Sequence, residues 1–490
     1  MTKEALDKEQ SISSIIAPLL AIIVGMFMVI LDGTAMNVAI PGLVTDFDST
    51  MSLVQWTVIG YTLAQAAVIP LAGWLSDRYG AKNIFLLSII LFTIGSALCA
   101  LAGSVEQLII YRVIQGLGGG MVAPIAMAFT YRLAPPGKVG AVMGMIGIPM
   151  LLAPALGPVI GGWLIEDATW HWIFLINVPV GVIAVLIGIK TLPAIGRQQV
   201  PTLDVLGIIF GPLAFSALAY GISEGGHSWN SEKTIYGIVI GAVSLIIFIV
   251  AELKRKQPLL ELRVFGSGNF TKGIIVQWVS QVALFGTMFL IPLFLQQANG
   301  YGPLKTGILM LPMAIASTIF MPLGGRLFDK IGARPLVISG LVIVTVAAYL
   351  LTGISTDSST LELMIPLAML GAGMGLSMMP LNTHIIQSTP ANLVGRVTSL
   401  TAAMQQVVTS FAIAVLTTIL DNKVEHYLPQ FGQEQMGKIM SNSFGDTFAV
   451  LVWIGAAGVL FGFLLSRPKR QPDGSGEGAE KQEVPMMIGH

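Results

Sequence analysis

The stretch GWLSDRYGAK at Gly73–Lys82 recurs as GRLFDKIGAR at Gly325–Arg334, with the shared pattern G-x-L-x-D-[RK]-x-G-A-[KR]. Each copy follows an apolar run long enough to cross a membrane as a helix, and each precedes another such run. A loop repeated in matching positions predicts a chain built from two structurally related halves. The repeat therefore indicates how the fold is organised.

The composition predicts an all-α integral membrane protein. Of the 490 residues, 54% are hydrophobic and 11% are charged, and the mean hydropathy is +0.80, whereas a soluble domain carries about a quarter of its residues as charges. The formal net charge is zero and no basic arm is present, so we expect no nucleic-acid partner. Cys99 is the only cysteine, which excludes an intrachain disulfide and a CxxC metal or redox motif.

The apolar runs predict about fourteen transmembrane helices. We place them at 14–41, 52–75, 83–103, 105–129, 139–164, 172–192, 204–223, 234–253, 270–297, 304–328, 335–353, 361–384, 396–420 and 446–466. The two copies of the repeat then lie about eight helices apart, whereas two plain six-helix halves would place them six apart. The simplest explanation is that the helices near 204–223 and 234–253 are inserted between the halves.

The predicted organisation has five parts. They are a cytoplasmic N-terminus at 1–13, an N-terminal six-helix bundle at 14–192, a linker with two inserted transmembrane helices at 193–268, a C-terminal six-helix bundle at 269–466, and a disordered cytoplasmic tail at 467–490. The tail is polar and rich in glycine and proline, which is typical of disordered extensions.

The distribution of lysine and arginine predicts the orientation. If the N-terminus is cytoplasmic, then of the 26 lysines and arginines only Lys233, Lys305, Lys423 and Lys438 fall in outside segments, while Arg112 lies within a helix. Because positive residues concentrate on the cytoplasmic side, this split predicts a multi-pass protein of the cytoplasmic membrane with both termini inside the cell.

The repeated loop has a physical use as a conformational latch. Gly73 and Gly80 permit close helix approach and a tight turn, and Asp77 can accept hydrogen bonds from the N-terminus of a neighbouring helix and pair with a base such as Arg78. The second copy places Gly325, Asp329 and Gly332 at the equivalent positions. The alternative is that these charges only fix the topology.

Asp32 and Arg112 are the two charges that lie well inside predicted helices. At 1.5 Å per residue, Asp32 is roughly 13 Å from the outer end of its helix near Pro41, and Arg112 is roughly 10 Å from the outer end of its helix near Val105. The two side chains are therefore at similar depth. Low dielectric favours the neutral carboxyl and a nearby arginine favours the ionised one, so such an acid can load and release protons. The alternative is a structural ion pair or a capped helix kink.

Several stretches together resemble the major facilitator superfamily and, within it, the fourteen-helix drug:proton antiporters. The repeated loop is similar to the superfamily's motif after the second helix, and ILDGTAMNVAIP is similar to this branch's first-helix motif. LIIYRVIQGLGGGMVAP resembles the fourth-helix motif with Arg112 as its basic residue, and GIPMLLAPALGPVIGGW resembles the antiporter motif of helix five. WHWIFLINVPVG is characteristic, although His171 stands where an arginine is usual, and PLFLQQANGYGPLKTGILMLP and VGRVTSLTAAMQQVVTSFAIAVLTTIL resemble second-half signatures.

The resemblance covers residues 14 to 466 and implies a major facilitator fold with two extra helices. It implies proton-coupled export of lipophilic or cationic drug-like compounds by alternating access, with Asp32 and Arg112 paired beside a central cavity. The expected partners are protons, small amphiphilic or cationic substrates and the lipid bilayer, and the protein is expected to be a monomer. No cofactor or metal is expected, because the proton gradient drives transport.

Other functions stay open at this point. The same mechanism would export an endogenous lipid or metabolite, and a proton-symport importer or a non-transporting sensor is a further alternative. An enzyme is not expected, since the sequence has no P-loop, GxSxG or HExxH motif. Without a P-loop, ATP is not expected to be the direct energy source.

Helix five is rich in glycine and proline, and we expect it to form a rocking contact that seals the pathway between the halves. The residues concerned are Gly147, Pro154, Gly157, Pro158 and Gly161. Gly157 and Gly161 have the G-x-x-x-G spacing that permits close helix approach, and the prolines bend the helix. Ordinary tight packing is the alternative.

Polar and aromatic residues in apolar helices are candidates for binding substrate, although each of them can equally be explained by packing. They are Asn37, Trp56, Tyr61, Gln65, Gln115, Gln277, Gln281 and Gln405. The 24 methionines provide a pliable apolar lining. Some fourteen-helix relatives that export dicationic compounds carry an acidic residue within the second-half core, whereas the helices predicted at 270–297, 304–328, 335–353 and 361–384 have none in their interior. The resemblance therefore implies neutral, monocationic or amphiphilic substrates in preference to dications.

Overall fold

The computed structural model describes residues 15–194, 205–225, 228–255, 260–431 and 435–465, and this part of the chain is helical throughout. The predicted cytoplasmic segments at 1–13 and 467–490 lie outside the described residues.

Fourteen helices follow one another along the described chain. They are α1 (Ile16–Asp46), α2 (Met51–Tyr79), α3 (Ala81–Ala100), α4 (Val105–Leu133), α5 (Val139–Asp167), α6 (His171–Thr191), α7 (Val205–Gly225), α8 (Glu232–Lys254), α9 (Gly268–Gln297), α10 (Pro303–Ile331), α11 (Ala333–Leu351), α12 (Thr360–Gln387), α13 (Val394–Phe431) and α14 (Met436–Gly462). We count α6 as one helix because Ile176, at its only break, keeps helical dihedral angles of −62° and −28°.

Twelve of these helices, within the described residues, are long and apolar enough to cross a membrane. The helix α5 is bent by 41° between its segments Val139–Pro154 and Val159–Ile165, as expected for a helix containing proline, and it makes a thirteenth span if the two segments are counted together. The apolar part of α7, Ile209–Ile222, is shorter than a full span. The chain is therefore a multi-pass membrane protein, and the figure of fourteen spans stays a prediction.

The turns at both copies of the repeat depend on glycine. Gly80 connects α2 to α3 with φ of 94°, and Gly332 connects α10 to α11 with φ of 76°. Residues with a Cβ rarely adopt such backbone φ angles, which explains why glycine occupies both positions. The tight turns expected from the sequence are confirmed. We call the end of the bundle that carries these two turns the motif end, and the opposite end the far end.

The first and second groups of six helices form separate apolar cores. Phe85, Phe92 and Phe129 are buried among α1–α6, and Phe294 and Phe444 are buried among α9–α14. The two groups meet along α5 with α10 and along α2 with α13, and they also meet through α4 with α13 and α5 with α12. Two seams therefore join the halves on opposite sides of the bundle.

Glycines allow the two halves to touch at the motif end. A Cβ on Gly140 of α5 would lie 2.3 Å from the carbonyl oxygen of Gly325 in α10. A Cβ on Gly73 of α2 would lie 2.4 Å from the carbonyl oxygen of Gly395 in α13. Equivalent glycines thus close both seams, and no larger residue fits at these positions without separating the helices.

The structure corrects the expected role of the G-x-x-x-G pair in α5. Gly157 packs against Thr34 and Gly161 packs against Ala35, both in α1 of the same half. Gly147 does face the other half, since a Cβ there would meet the sulfur of Met321 in α10. Val159, in the far part of α5, also meets the other half, since a Cβ on Gly307 of α10 would lie 2.4 Å from the Cγ2 of Val159. The contact between the halves therefore runs along α5 through Gly140, Gly147 and Val159, whereas Gly157 and Gly161 face α1. The side chain of Pro158 lies outside the described residues.

Helices form at both positions where the sequence predicts an insertion, and they pack across one seam. α7 contacts both α2 and α13. Near the far end, Tyr220 of α7 stacks on Trp56 of α2 with ring centroids 6.1 Å apart. Trp229, in the loop between α7 and α8, donates from Nε1 to Thr418 Oγ1 of α13 at 2.8 Å. The α7/α8 pair therefore bridges the two halves from outside.

We expect Gly325→Ala to destabilise the protein by about 1–3 kcal/mol, the usual cost of overpacking. The added methyl carbon would lie 2.1 Å from the carbonyl oxygen of Gly140, so α5 and α10 must separate. The measurement is the midpoint of thermal unfolding in detergent. Gly266→Ala is the matched control, because a Cβ at Gly266 meets nothing within 4 Å. Equal midpoints for the two variants would contradict the assigned contact.

Candidate functional site

Asp32 and Arg112 form a fully buried ion pair between α1 and α4. Arg112 Nη1 donates to Asp32 Oδ2 at 2.6 Å, and neither side chain is accessible to solvent. The similar depth expected from the sequence thus corresponds to direct contact. A role of this pair in proton coupling remains a prediction.

Two amides complete the surroundings of the carboxylate. Gln115 Nε2 of α4 and Asn177 Nδ2 of α6 donate to Asp32 Oδ1 at 3.0 and 2.7 Å. Both amides also donate to Ser96 Oγ of α3, at 2.5 and 3.1 Å. Four helices of the first half therefore converge on one carboxylate. No role was predicted for Asn177 from the sequence. An amide in the apolar stretch WHWIFLINVPVG is a signal that could have identified it.

Arg112 is surrounded by groups that favour a positive charge. Its Nη1 also donates to Gln115 Oε1 at 2.6 Å, and its Nε donates to the carbonyl oxygen of Thr57 at 3.2 Å. The guanidinium carbon lies 3.9 Å from the ring centroid of Tyr61 and 5.6 Å from that of Phe174. Aromatic faces attract cations, so the rings stabilise the charge from the remaining sides.

The Asp32 carboxylate accepts one hydrogen bond from a cation and two from amides. The donors lie on α4 and α6, so the contacts of this one side chain link the relative positions of α1, α4 and α6.

A cavity of about 340 Å³ lies between the halves. Helices α1, α2 and α4 form one side of it, and α9 and α13 form the other. Its polar lining consists mainly of Tyr61, Gln65, Gln281, Gln405, Gln406 and Thr409. Gln281 Nε2 donates to Thr409 Oγ1 at 3.0 Å, so part of this lining is internally hydrogen-bonded.

Tyr61 separates the cavity from the buried ion pair. Its ring lines the cavity and lies against Arg112 on the other side. Its hydroxyl donates to the carbonyl oxygen of Val29 in α1 at 3.4 Å. Asp32 is 1% exposed and lies behind this wall.

Three candidate substrate residues do not line this cavity. Trp56 faces α7, because it lies roughly 140° around the helix from Tyr61 at 100° per residue. Gln115 is buried in the network of Asp32. Gln277 donates to Asn382 Oδ1 at 2.6 Å behind the lining. The side chain of a fourth candidate, Asn37, lies outside the described residues.

Asp77, in the first copy of the repeat, joins the two halves. Its Oδ1 accepts a hydrogen bond from Arg132 of α4 at 3.2 Å, and its Oδ2 lies 3.7 Å from Nε of Arg396 in α13. Asp77 therefore pairs with bases, as expected, but these are Arg132 and Arg396 and not Arg78. The Arg78 guanidinium instead lies 5.8 Å from the ring centroid of Trp74, because consecutive helical residues point in different directions.

Asp329, in the second copy, joins the halves by a different contact. Its two carboxylate oxygens accept hydrogen bonds from the backbone N–H groups of Gly140 at 2.8 Å and Ala141 at 3.0 Å. These groups belong to the first turn of α5, where the helix dipole favours an anion. The sequence predicted acceptance of hydrogen bonds from a helix N-terminus at Asp77, whose partners are instead arginine side chains. This kind of contact forms at Asp329, the equivalent residue of the second copy.

Within the described ranges, no group of three or more histidine, cysteine, aspartate or glutamate side chains is placed to hold a metal ion.

Comparison with known proteins identifies the family. A family model described as Major Facilitator Superfamily matches residues 22–413. The multidrug resistance protein B homolog of Mycobacterium tuberculosis is 35% identical over 402 residues, which is 81% of this chain and 74% of that protein. The lincomycin resistance protein LmrB of Listeria monocytogenes is 31% identical over 455 residues, covering 92% of this chain and 96% of the relative.

The fold also matches a solved structure. The proton:xylose symporter XylE, at 16% sequence identity, superposes with a TM-score of 0.65 over 93% of this chain and 96% of the symporter chain. Sequence identity at that level shows that the two proteins share a fold, but it does not identify the substrate. From the family model and the relatives, this chain belongs to the Major Facilitator Superfamily, a family of membrane transporters and not of enzymes.

Proposed function

We propose that this protein is a proton-coupled antiporter that exports lipophilic or cationic drug-like compounds across the cytoplasmic membrane by alternating access. The observation that carries the proposal is the buried Asp32–Arg112 pair, separated from the cavity between the halves by a single side chain, Tyr61. An ionisable group inside a membrane domain is expensive to maintain, and such groups characteristically belong to proton or substrate pathways.

The proposed topology has fourteen spans in the five-part organisation predicted above, with both termini and the motif end in the cytoplasm. In this arrangement the contacts of Asp77 and Asp329 close the cytoplasmic side. The two halves rock about the seams α5/α10 and α2/α13, where small residues permit close sliding contact. Opening the motif end requires both carboxylates to leave their partners.

The proposed substrates follow from the cavity and from the relatives. The lining is mostly apolar with a few amides and hydroxyls, which suits flexible recognition of amphiphilic compounds. Two relatives carry names that describe multidrug and lincomycin resistance. None of the lining residues of the cavity is acidic, which supports neutral or monocationic substrates over dications.

Export of an endogenous lipid or metabolite is the second candidate, and the same site would serve it. The relatives named for drug resistance favour the first candidate. A proton-symport importer would use the same buried carboxylate with the opposite direction of coupling, so flux measurements separate it from both exporters.

Everted membrane vesicles test the proposal. An acid-inside pH gradient should drive uptake of a fluorescent lipophilic monocation, and substrate addition should release protons from the vesicle interior. Exchange of one proton for one monocation moves no net charge, so the rate should respond to the pH gradient and not to a potassium diffusion potential. Cotransport of proton and substrate in the same direction would overturn antiport.

Asp32→Asn should abolish transport driven by the pH gradient while leaving folding and at least weak substrate binding intact. The amide keeps the shape of the side chain and cannot exchange a proton. Two measurements are needed, uptake of substrate by everted vesicles and binding of ligand to the purified variant. Asp46→Asn, on an exposed position of the same helix, is the control. Gradient-driven transport by Asp32→Asn at the wild-type rate would remove Asp32 from the mechanism.

Asn177→Ala should move the pH of half-maximal substrate-induced proton release upward by about one unit, since a hydrogen bond to a charged group contributes about 1.5–3 kcal/mol and a pH unit corresponds to 1.36 kcal/mol. The lost amide had stabilised the ionised carboxylate, so the proton is held to higher pH. Arg112→Ala should shift the midpoint further and stop transport near neutral pH. Unchanged midpoints in both variants would show that the network does not control protonation.

Asp77→Ala and Asp329→Ala should reduce turnover more than substrate binding, because both carboxylates lie between the halves and outside the cavity. The measurement compares transport rate with equilibrium binding for each variant and for the double variant. Asp357→Ala, in an exposed loop, is the control. Normal turnover in the double variant would leave the repeated loop with a role in topology only.

A further inference from the structure

An apolar groove lies between the α7/α8 pair and the second half. Helices α7, α8, α9 and α13 and the 3₁₀ helix Leu262–Gly266 enclose about 440 Å³, a volume typical of small-molecule sites. The described side chains that line it are apolar, apart from the indole N–H of Trp278. That N–H is buried and has no hydrogen-bond partner in the described part of the chain. We call this space the α8–α9 groove.

The groove extends to the motif end, and we call this end of it the mouth. Leu253, in its wall, is the last residue but one of α8, which ends there at Lys254. Leu262 and Phe265, also in its wall, belong to the 3₁₀ helix that precedes α9. The mouth of the groove is therefore at the level where the chain leaves one helix and enters the next, which is the depth of lipid headgroups.

Three cations stand at this mouth. Lys254 and Arg255 follow Leu253 directly, and Lys254 is exposed. Arg263 is exposed too, and its Nη2 donates to the carbonyl oxygens of Leu253, at 3.3 Å, and Arg255. The guanidinium of Arg263 is thus fixed at the end of α8, where the helix dipole already favours positive charge.

Two carboxylates in the same segment face away from the surface. Glu252 and Glu261 are 1% and 7% exposed. Glu252 Oε2 accepts a hydrogen bond from the backbone N–H of Leu260 at 3.3 Å, which anchors it below the loop. Among the described residues of this segment the exposed charged side chains are therefore cations, while the space behind them is apolar.

We propose that the α8–α9 groove binds one acyl chain of an anionic phospholipid, with the phosphate held by Arg255, Arg263 and Lys254. The apolar space requires a hydrocarbon occupant and the cations require an anion, and a membrane lipid with a negative headgroup offers both. Basic pockets beside transmembrane helices at this level are known to select anionic headgroups.

Such a lipid would support the wall of the transport cavity. Leu400 and Met404 of α13 face the groove, whereas Gln405 and Thr409 of the same helix face the cavity. Helix α9 also lines both spaces, because Trp278 faces the groove and Gln281 faces the cavity. Filling the groove therefore fixes the packing of two helices that shape the cavity, so its occupancy should affect transport as well as stability.

Native mass spectrometry of the purified full chain, mixed with equal amounts of phosphatidylglycerol and phosphatidylcholine, tests the proposal. The wild type should retain phosphatidylglycerol preferentially. The double variant R255Q/R263Q should lose that preference by about thirtyfold, as expected for two interfacial cations at about 1 kcal/mol each. K190Q/R326Q removes two exposed cations at the same end on other helices and should keep the preference.

Leu245→Trp, which fills the groove from α8, should reduce retention of both lipids. Leu213→Trp, which enters the separate space between α7 and α2, is its matched control and should not. Equal retention of the two lipids by the wild type, or a preference that survives R255Q/R263Q, would overturn the headgroup site. Full lipid retention by Leu245→Trp would overturn the acyl-chain site. These are binding measurements, so their outcome is independent of proton-coupled transport.

Discussion

The buried contact between Asp32 and Arg112 constrains the whole first half. Removing two charges from water costs several kcal/mol per ion, and the cost is recovered only when the remaining lone pairs and protons are satisfied. Here the partners come from different helices, with Ser96 in α3, Gln115 in α4 and Asn177 in α6. A movement of any one helix leaves a buried polar group without its partner. The first half is therefore expected to move as one body as long as Asp32 is ionised.

The two copies of the repeated loop perform one task by different chemistry. Asp77 meets arginine side chains of both halves, whereas Asp329 meets the backbone N–H groups at the start of α5. Loss of Asp77 would leave Arg132 and Arg396 close together without their shared anion, so like charges would repel across the seam. Loss of Asp329 would expose two N–H groups that water can satisfy once the seam opens. The α2/α13 seam is thus the more sensitive of the two to loss of its carboxylate.

Features governed by hydropathy and helix length could be predicted from the sequence. Helices form near all the predicted spans, and Asp32 and Arg112 meet because depth along a helix follows directly from residue count. The direction in which side chains point around each helix was not predicted correctly. The assignments of Trp56 to the cavity and of Gly157 to the contact between the halves required the rotation of α2 and the bend of α5, which depend on packing. Asn177 was missed because one amide in an apolar run does not reveal its partner.

Under the proposed exchange, the charge balance of the first half explains why a proton and a cation exclude each other. With Asp32 ionised the pair with Arg112 is neutral, and a monocation in the cavity meets the negative faces of aromatic rings such as Tyr61 and several amide oxygens. With Asp32 protonated, the charge of Arg112 is uncompensated only one ring away from the cavity, and low dielectric strengthens its repulsion of a cation. Protonation also loosens the network that holds α1, α4 and α6 together. The same event that expels the substrate therefore frees the helices to move, and coupling needs no direct contact between substrate and Asp32.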